Sequence, residues 1–165
     1  MLLVAIAALL FSGNDDGGGD PSGNGETPRK TRASALVTRV VDGDTAEMEI
    51  EGFAGEEDVR FIGVDTPESV TPDQPVECYG PEASDFTRNL IEGRRVRLEF
   101  GAEQRDRFGR LLAYVYIGGK FLNEELVSQG YARTLEIAPN TDFAGLFARI
   151  EQDAANAGRG LWGRC

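Results

Sequence analysis

Five charged side chains at the ends of short apolar runs are the part of this sequence equipped for chemistry: Asp44, Arg60, Asp65, Glu68 and Arg110. They lie in Asp42-Gly43-Asp44-Thr45, at Arg60, in Asp65-Thr66-Pro67-Glu68 and in Arg107-Phe108-Gly109-Arg110. Two carboxylates suit a hard cation, a third suits a general base and two arginines suit phosphate oxygens. Together these are what phosphodiester hydrolysis requires. Asp44 shares strand parity with Ala46, Met48 and Ile50, and Arg60 with Ile62 and Val64, so both are expected at the mouth of an apolar face. Charges there need partners, because burying them alone is costly. Asp44, Arg60 and Asp65 are placed to serve as one another's, either as a purely structural ion cluster or as a site.

Read as a site, Asp44 and Asp65 hold a cation, and the Thr66 carbonyl adds a neutral oxygen, since such sites mix carboxylate, carbonyl and water. Glu68 takes a proton from a water oriented there; the plain alternative is an exposed loop glutamate. Arg60 and Arg110 present planar forks that bind phosphate bidentately and offset the charge that builds during attack. Asp42 is expected to cap the turn.

Composition narrows the chemistry. The chain has 165 residues and no histidine, which removes imidazole bases, Ser-His-Asp triads and most catalytic zinc sites. A metal must therefore be held mainly by oxygen, as calcium or magnesium are. The net charge is −11, an awkward sign for a protein meeting a polyanion. The excess is not confined to the tail: residues 34–165 carry 14 basic and 24 acidic side chains, and only Lys30 and Lys120 are lysines. An acidic surface suits life at high salt, where screening shortens repulsion; lineage composition is the other explanation.

Residues 34–41, 45–51, 57–64, 94–100 and 110–117 read as strands, the first three forming a meander joined by tight turns. Helices are expected near 81–92, opened by Pro81, near 122–129, ended by Gly130, and over 142–157, with Phe143, Leu146, Phe147, Ile150 and Ala154 on one stripe. A short strand is placed within 131–136. The fold class is α+β, a five-stranded OB-type β-barrel with three packed helices.

The first eleven residues, MLLVAIAALLF, are too few for a membrane span. Residues 1–13 read as a signal peptide or N-terminal anchor, residues 14–33 as a flexible Gly/Asp-rich linker, and residues 34–165 as the catalytic domain. Cys78 and Cys165 are the two cysteines. In an exported chain they are expected to pair, closing a loop whose constraint is worth about 4–5 kcal/mol at most.

These motifs resemble the staphylococcal-nuclease-like, or thermonuclease, family. The likeness is carried by Val40 to Thr45 (VVDGDT), 59–68 (VRFIGVDTPE), 79–90 (YGPEASDFTRNL), 106–116 (DRFGRLLAYVY), 127–132 (VSQGYA) and the closing Gly160-Leu161-Trp162. The resemblance implies an OB barrel and a calcium-dependent nuclease acting on DNA and RNA, cutting the 5′ P–O bond to leave 3′-phosphates; with the apolar N-terminus, a monomer secreted or anchored on the outer face of the cell membrane is expected. It implies calcium at Asp44, Asp65 and the Thr66 carbonyl, Glu68 as base, Arg60 and Arg110 on the scissile phosphate, and Arg107 and Phe108 on the substrate. The alternative is a non-catalytic OB-fold module that binds nucleic acid or another ligand. Three departures stand out. Arg107-Phe108 replaces the family's usual Lys-Tyr, Leu135 and Ile137 stand where two nucleotide-flanking tyrosines do in its best-known member, and loop 69–77 is acidic where that member has lysines. Weaker stacking on the base is expected.

Overall fold

A computed structural model describes residues 31–69 and 75–165. The expected leader at 1–13, the linker as far as residue 30 and the loop tip at 70–74 lie outside the described residues. The chain opens with β1 (Arg32–Asp42), β2 (Thr45–Ile50) and β3 (Glu56–Phe61), followed by β4 (Gly63–Asp65) and α1 (Gly80–Ile91). Then come β5 (Arg95–Arg105), β6 (Leu111–Ile117), β7 (Lys120–Phe121), α2 (Leu122–Ser128), β8 (Arg133–Leu135), α3 (Ala144–Asn156) and the single-turn α4 (Leu161–Arg164).

Alternation in the sequence dictates the meander. Ala46, Met48 and Ile50 point inward from β2 and are buried, while Glu47 and Glu49 point out. β1 pairs antiparallel with β2 and β5, β2 with β3, and β5 with β6. A parallel pairing of β3 with β6, Val59 opposite Leu111 and Phe61 opposite Ala113, joins the two ends. The result is a closed five-stranded barrel, which leaves its ring of strands without an open edge. The three main helices pack against it, giving the expected α+β, OB-type architecture. Its core is built from inward positions such as Val37, Met48, Phe61, Leu98 and Val115, with Leu122, Leu126 and Phe147 brought in by α2 and α3.

One expectation fails in an instructive way. The third strand, expected over 57–64, breaks at Ile62, and β4 leaves the barrel to pair with β8. Gly63 makes the break possible. Its φ is +80°, and a Cβ there would sit 2.6 Å from the Phe147 ring. Asn123, fully buried on α2, holds the bend from outside the strand: its amide donates to Ile62 O at 2.8 Å and accepts from Val115 N–H at 2.9 Å. Register also corrects the orientation of Arg60. Because Arg60 lies opposite Thr45 while Ala46 lies opposite Val59, Arg60 faces away from the barrel interior, not along the side of Ile62 and Val64.

Asn123→Ala removes one partner from each of two buried backbone groups and is expected to destabilise the barrel by about 2–3 kcal/mol. Urea unfolding followed by the Trp162 fluorescence measures this, and a loss below half a kilocalorie would show that the bend holds itself.

Candidate active site

The turn between β1 and β2 is tied on three sides. Asp42 Oδ1 accepts the Asp44 N–H at 3.1 Å, the turn role expected of it. Thr87, buried on α1, donates to Gly43 O at 2.7 Å. Gly43 itself lies against Thr66, where a Cβ would come within 2.6 Å of the threonine methyl. Asp44 is thereby aimed across the mouth of the barrel. Its Oδ2 accepts the Thr66 N–H at 2.8 Å and the Thr66 hydroxyl at 3.1 Å, and its Oδ1 accepts the Thr45 hydroxyl at 3.1 Å.

Arg60 joins the two acidic strand ends. Its Nε lies 3.1 Å from Asp44 Oδ1 and its Nη2 is 2.9 Å from Asp65 Oδ1. Its Nη1 donates to Phe61 O at 2.8 Å and to Val64 O at 2.6 Å, so the guanidinium also caps the carbonyls of the β3–β4 bend. The side chain is only 12% exposed. Asp44, Arg60, Asp65 and Thr66 are thus brought into one hydrogen-bonded group, as their spacing predicted.

Acidic groups outnumber the cation around which they gather. Burial, then the Asp44 carboxylate, pushes the Asp42 carboxyl up to about 7. Burial also raises Asp65; Asp44, Glu77 and Glu68 add to that, and Arg60 works against it. Repulsion of this kind is what a bound cation relieves, and the donors are all hard oxygens. Among the described residues no three acidic or cysteine side chains converge into a cage. A cation here would rest on Asp44, Asp65 and the Thr66 carbonyl, with water completing its shell, which suits calcium or magnesium.

Glu68 follows on the loop after β4. Its Oε1 accepts the Ser69 N–H at 2.9 Å, and its backbone pairs with Glu77: Glu77 N–H to Glu68 O at 2.8 Å, Glu68 N–H to Glu77 Oε2 at 3.1 Å. It neighbours Asp65 electrostatically.

Arg110 precedes β6, on the strand beside β3, and shares with Arg60 a groove of about 510 Å³. Asp106, which sequence reasoning passed over, holds it there. Asp106 Oδ2 accepts Arg110 Nε at 2.8 Å, and Oδ1 accepts the N–H of Phe108 and of Arg110. The signal was present as an acid four residues before an arginine across a Gly109 turn. Burial pushes the Asp106 carboxyl up, but the Arg110 hydrogen bond and those two N–H groups outweigh it and hold it below the usual carboxylate range. Phe108 is 69% exposed, with the Arg107 guanidinium 4.7 Å over its ring. Leu135 and Ile137 complete an apolar wall of the same groove.

Comparison with known proteins gives the chain its relatives. Residues 58–164 match the staphylococcal nuclease homologue family. The chain is 39% identical over 165 residues to the thermonuclease of Staphylococcus intermedius, spanning 99% of this chain and 95% of that one. It is 35% identical to the thermonuclease of Staphylococcus hyicus over 98% of this chain and 90% of that one. It is also 36% identical to endonuclease YncB of Bacillus subtilis over 82% of this chain and 64% of that one.

Asp106→Asn is expected to lower the turnover number by roughly 10- to 100-fold by letting Arg110 swing out of line. It also removes a pH-dependent stabilisation. A carboxyl held below its unfolded value stabilises the fold above that value and loses the benefit as pH falls through the folded one. The stability gap between parent and variant should therefore be full at neutral pH and close below pH 3.8, the carboxyl's ordinary value, as read by thermal melts across that range.

Proposed function

Because the chain belongs to the staphylococcal nuclease homologue family and is a phosphodiester-hydrolysing nuclease, we propose that it is a calcium-dependent, exported enzyme that cleaves DNA and RNA at the 5′ P–O bond and leaves 3′-phosphates. The observation that carries this reading is the Asp44–Arg60–Asp65 group at the end of a groove that also holds Arg110 and Phe108. A single chain supplies every residue of that set, so the monomer suffices. The Cys78–Cys165 disulfide supports export to an oxidising compartment.

Asp44, Asp65 and the Thr66 carbonyl would hold the cation, which would supply positive charge for the phosphate and polarise the attacking water. Glu68 receives the proton of that water. Arg60 and Arg110 bind non-bridging oxygens of the phosphate and stabilise the charge that develops on them. Four N–H groups of Arg60 already meet Asp44, Asp65, Phe61 O and Val64 O. The Nε and Nη2 edge, which faces the two carboxylates, is the edge that would be offered to phosphate. Asp106 keeps Arg110 in line throughout.

Substrate grip differs from the chemistry. Phe108 and Arg107 offer a flat platform at the groove's outer edge, while Leu135 and Ile137 offer aliphatic surface where stacking on a base is weaker. Single-stranded substrate, whose bases are free to lie on that wall, is favoured.

Glu68→Gln should cut the rate on single-stranded DNA by about 10²- to 10⁴-fold while calcium binding and the thermal transition persist. Equal cleavage by parent and variant would remove Glu68 from the mechanism, and parental activity undiminished by a chelator would remove the cation. Ile137→Tyr should lower KM for single-stranded DNA by about fivefold, the equivalent of roughly 1 kcal/mol of stacking, with little change in kcat. Steady-state kinetics on an oligonucleotide series measures both.

A further inference from the structure

Cys78 and Cys165 form a disulfide with a Cα–Cα separation of 5.9 Å across 87 residues of sequence. Its two ends are anchored very differently. Cys165 closes α4, its N–H bonded to Leu161 O at 3.0 Å. Leu161 is buried, and its own N–H donates to Gly130 O at 2.9 Å. Gly130 and Gly160 lie backbone to backbone, so closely that a side chain on either would collide with the other's segment. This end is part of the body of the protein.

Cys78 sits at the neck of the loop that begins with Glu68. Its predecessor Glu77 makes both bonds that pair the neck, from its N–H to Glu68 O and from the Glu68 N–H to its Oε2. Its successor Tyr79 has a φ of 73°, an uncommon left-handed conformation for a residue with a side chain, and stacks on Tyr131 at 5.5 Å. Gly80 then passes so near Glu68 that a Cβ would lie 2.5 Å from its carbonyl oxygen. The disulfide also walls a cavity of about 260 Å³ shared with Asp65, Thr66 and Glu77.

We propose that Cys78, Cys165 and Glu77 are positioning residues for the general base: the disulfide fixes Glu77 to the body of the protein, and Glu77 fixes the backbone of Glu68 beside the cation ligands. The proposal rests on the reading of Glu68 as base. Breaking the bond leaves the barrel, the cation ligands and both arginines in place but frees the neck. The cost therefore falls on kcat and not on KM, and it is carried through Glu68.

The test is a cycle on the intact protein, assayed with calcium and single-stranded DNA. Reduction with a trialkylphosphine delivers two electrons to the S–S bond, giving two protonated thiols and, with oxygen from water, the phosphine oxide; thiol titration verifies completion. In the parent, reduction is expected to lower kcat by about tenfold with KM within twofold. In Glu68→Gln it should produce no further loss, because the residue being positioned has already lost its function. Glu77→Ala, with the disulfide intact, should mimic reduction, and Glu77→Gln, which keeps an acceptor oxygen, should restore most of the rate. Unchanged kcat in the fully reduced parent overturns the proposal, as does an equal loss on reducing Glu68→Gln. If reduction unfolds the chain, an unchanged kcat in Glu77→Ala overturns it instead. Full activity of oxidised Glu68→Gln would be a different failure, that of the base assignment itself.

Discussion

Crowding of negative charge around one buried guanidinium is the constraint that organises this molecule. Asp44 and Asp65 touch Arg60 directly; Asp44 raises the proton affinity of Asp42, and Asp44, Glu77 and Glu68 raise that of Asp65. Such an arrangement persists only if the rest of the structure forces it. Here the forcing is done by contacts that fix the backbone. A turn is locked by Thr87 and Gly43, a bend is locked by Asn123 and Gly63, and a loop neck is locked by paired glutamates and a disulfide. Arg60 itself contributes twice, as a counter-charge and as the donor that satisfies the carbonyls of the bend. The same side chain therefore links folding to the chemistry proposed for it.

The acidic surface acts against the function in a way the site does not. A protein of net charge −11 repels a polyanion at long range, and only short-range contacts remain to hold it. Those contacts are concentrated in one groove, where Arg60, Arg107 and Arg110 meet exposed apolar surface from Phe108, Leu135 and Ile137. Many other arginines are spent on nearby acids: Arg39 on Glu47, Arg105 on Glu57, Arg95 on Glu51, and Arg32 and Arg97 on Glu99. Phosphate recognition of the kind proposed would thus be local, and an ionic medium that shortens repulsion costs such a groove less than it would cost an enzyme that depends on long-range attraction.

Much of this was readable from sequence because it is written in short-range pattern. Alternation gave the meander, stripes gave the helices, and cysteine count gave the disulfide. The features that escaped are those set by residues far apart along the chain. Gly63 is the one local mark of the break after Ile62, and a glycine inside a strand is a weak signal until Asn123 on a distant helix is seen to hold the bend. Arg60 was aimed wrongly for the same reason: parity counted through Val64 assumes an unbroken strand. Asp106 was overlooked although its spacing from Arg110 was visible, because an acid before an arginine is common on any surface and gains meaning only beside the groove. Pairing between Glu68 and Glu77 was hidden by the like charge of the two side chains; the bonds join the Glu68 backbone to the Glu77 N–H and to the Glu77 carboxylate.

The bend at Ile62 has a mechanical consequence. It divides the molecule into a closed barrel and a two-stranded ribbon of β4 and β8, and the boundary between them runs through the middle of the acidic group. Asp44 belongs to the barrel side and Asp65 to the ribbon side, with Arg60 reaching across. An ion held by both aspartates, as proposed, would bridge the barrel and the ribbon, which are joined also by Arg60, by α2 packed on β4 and by α3 packed on β8.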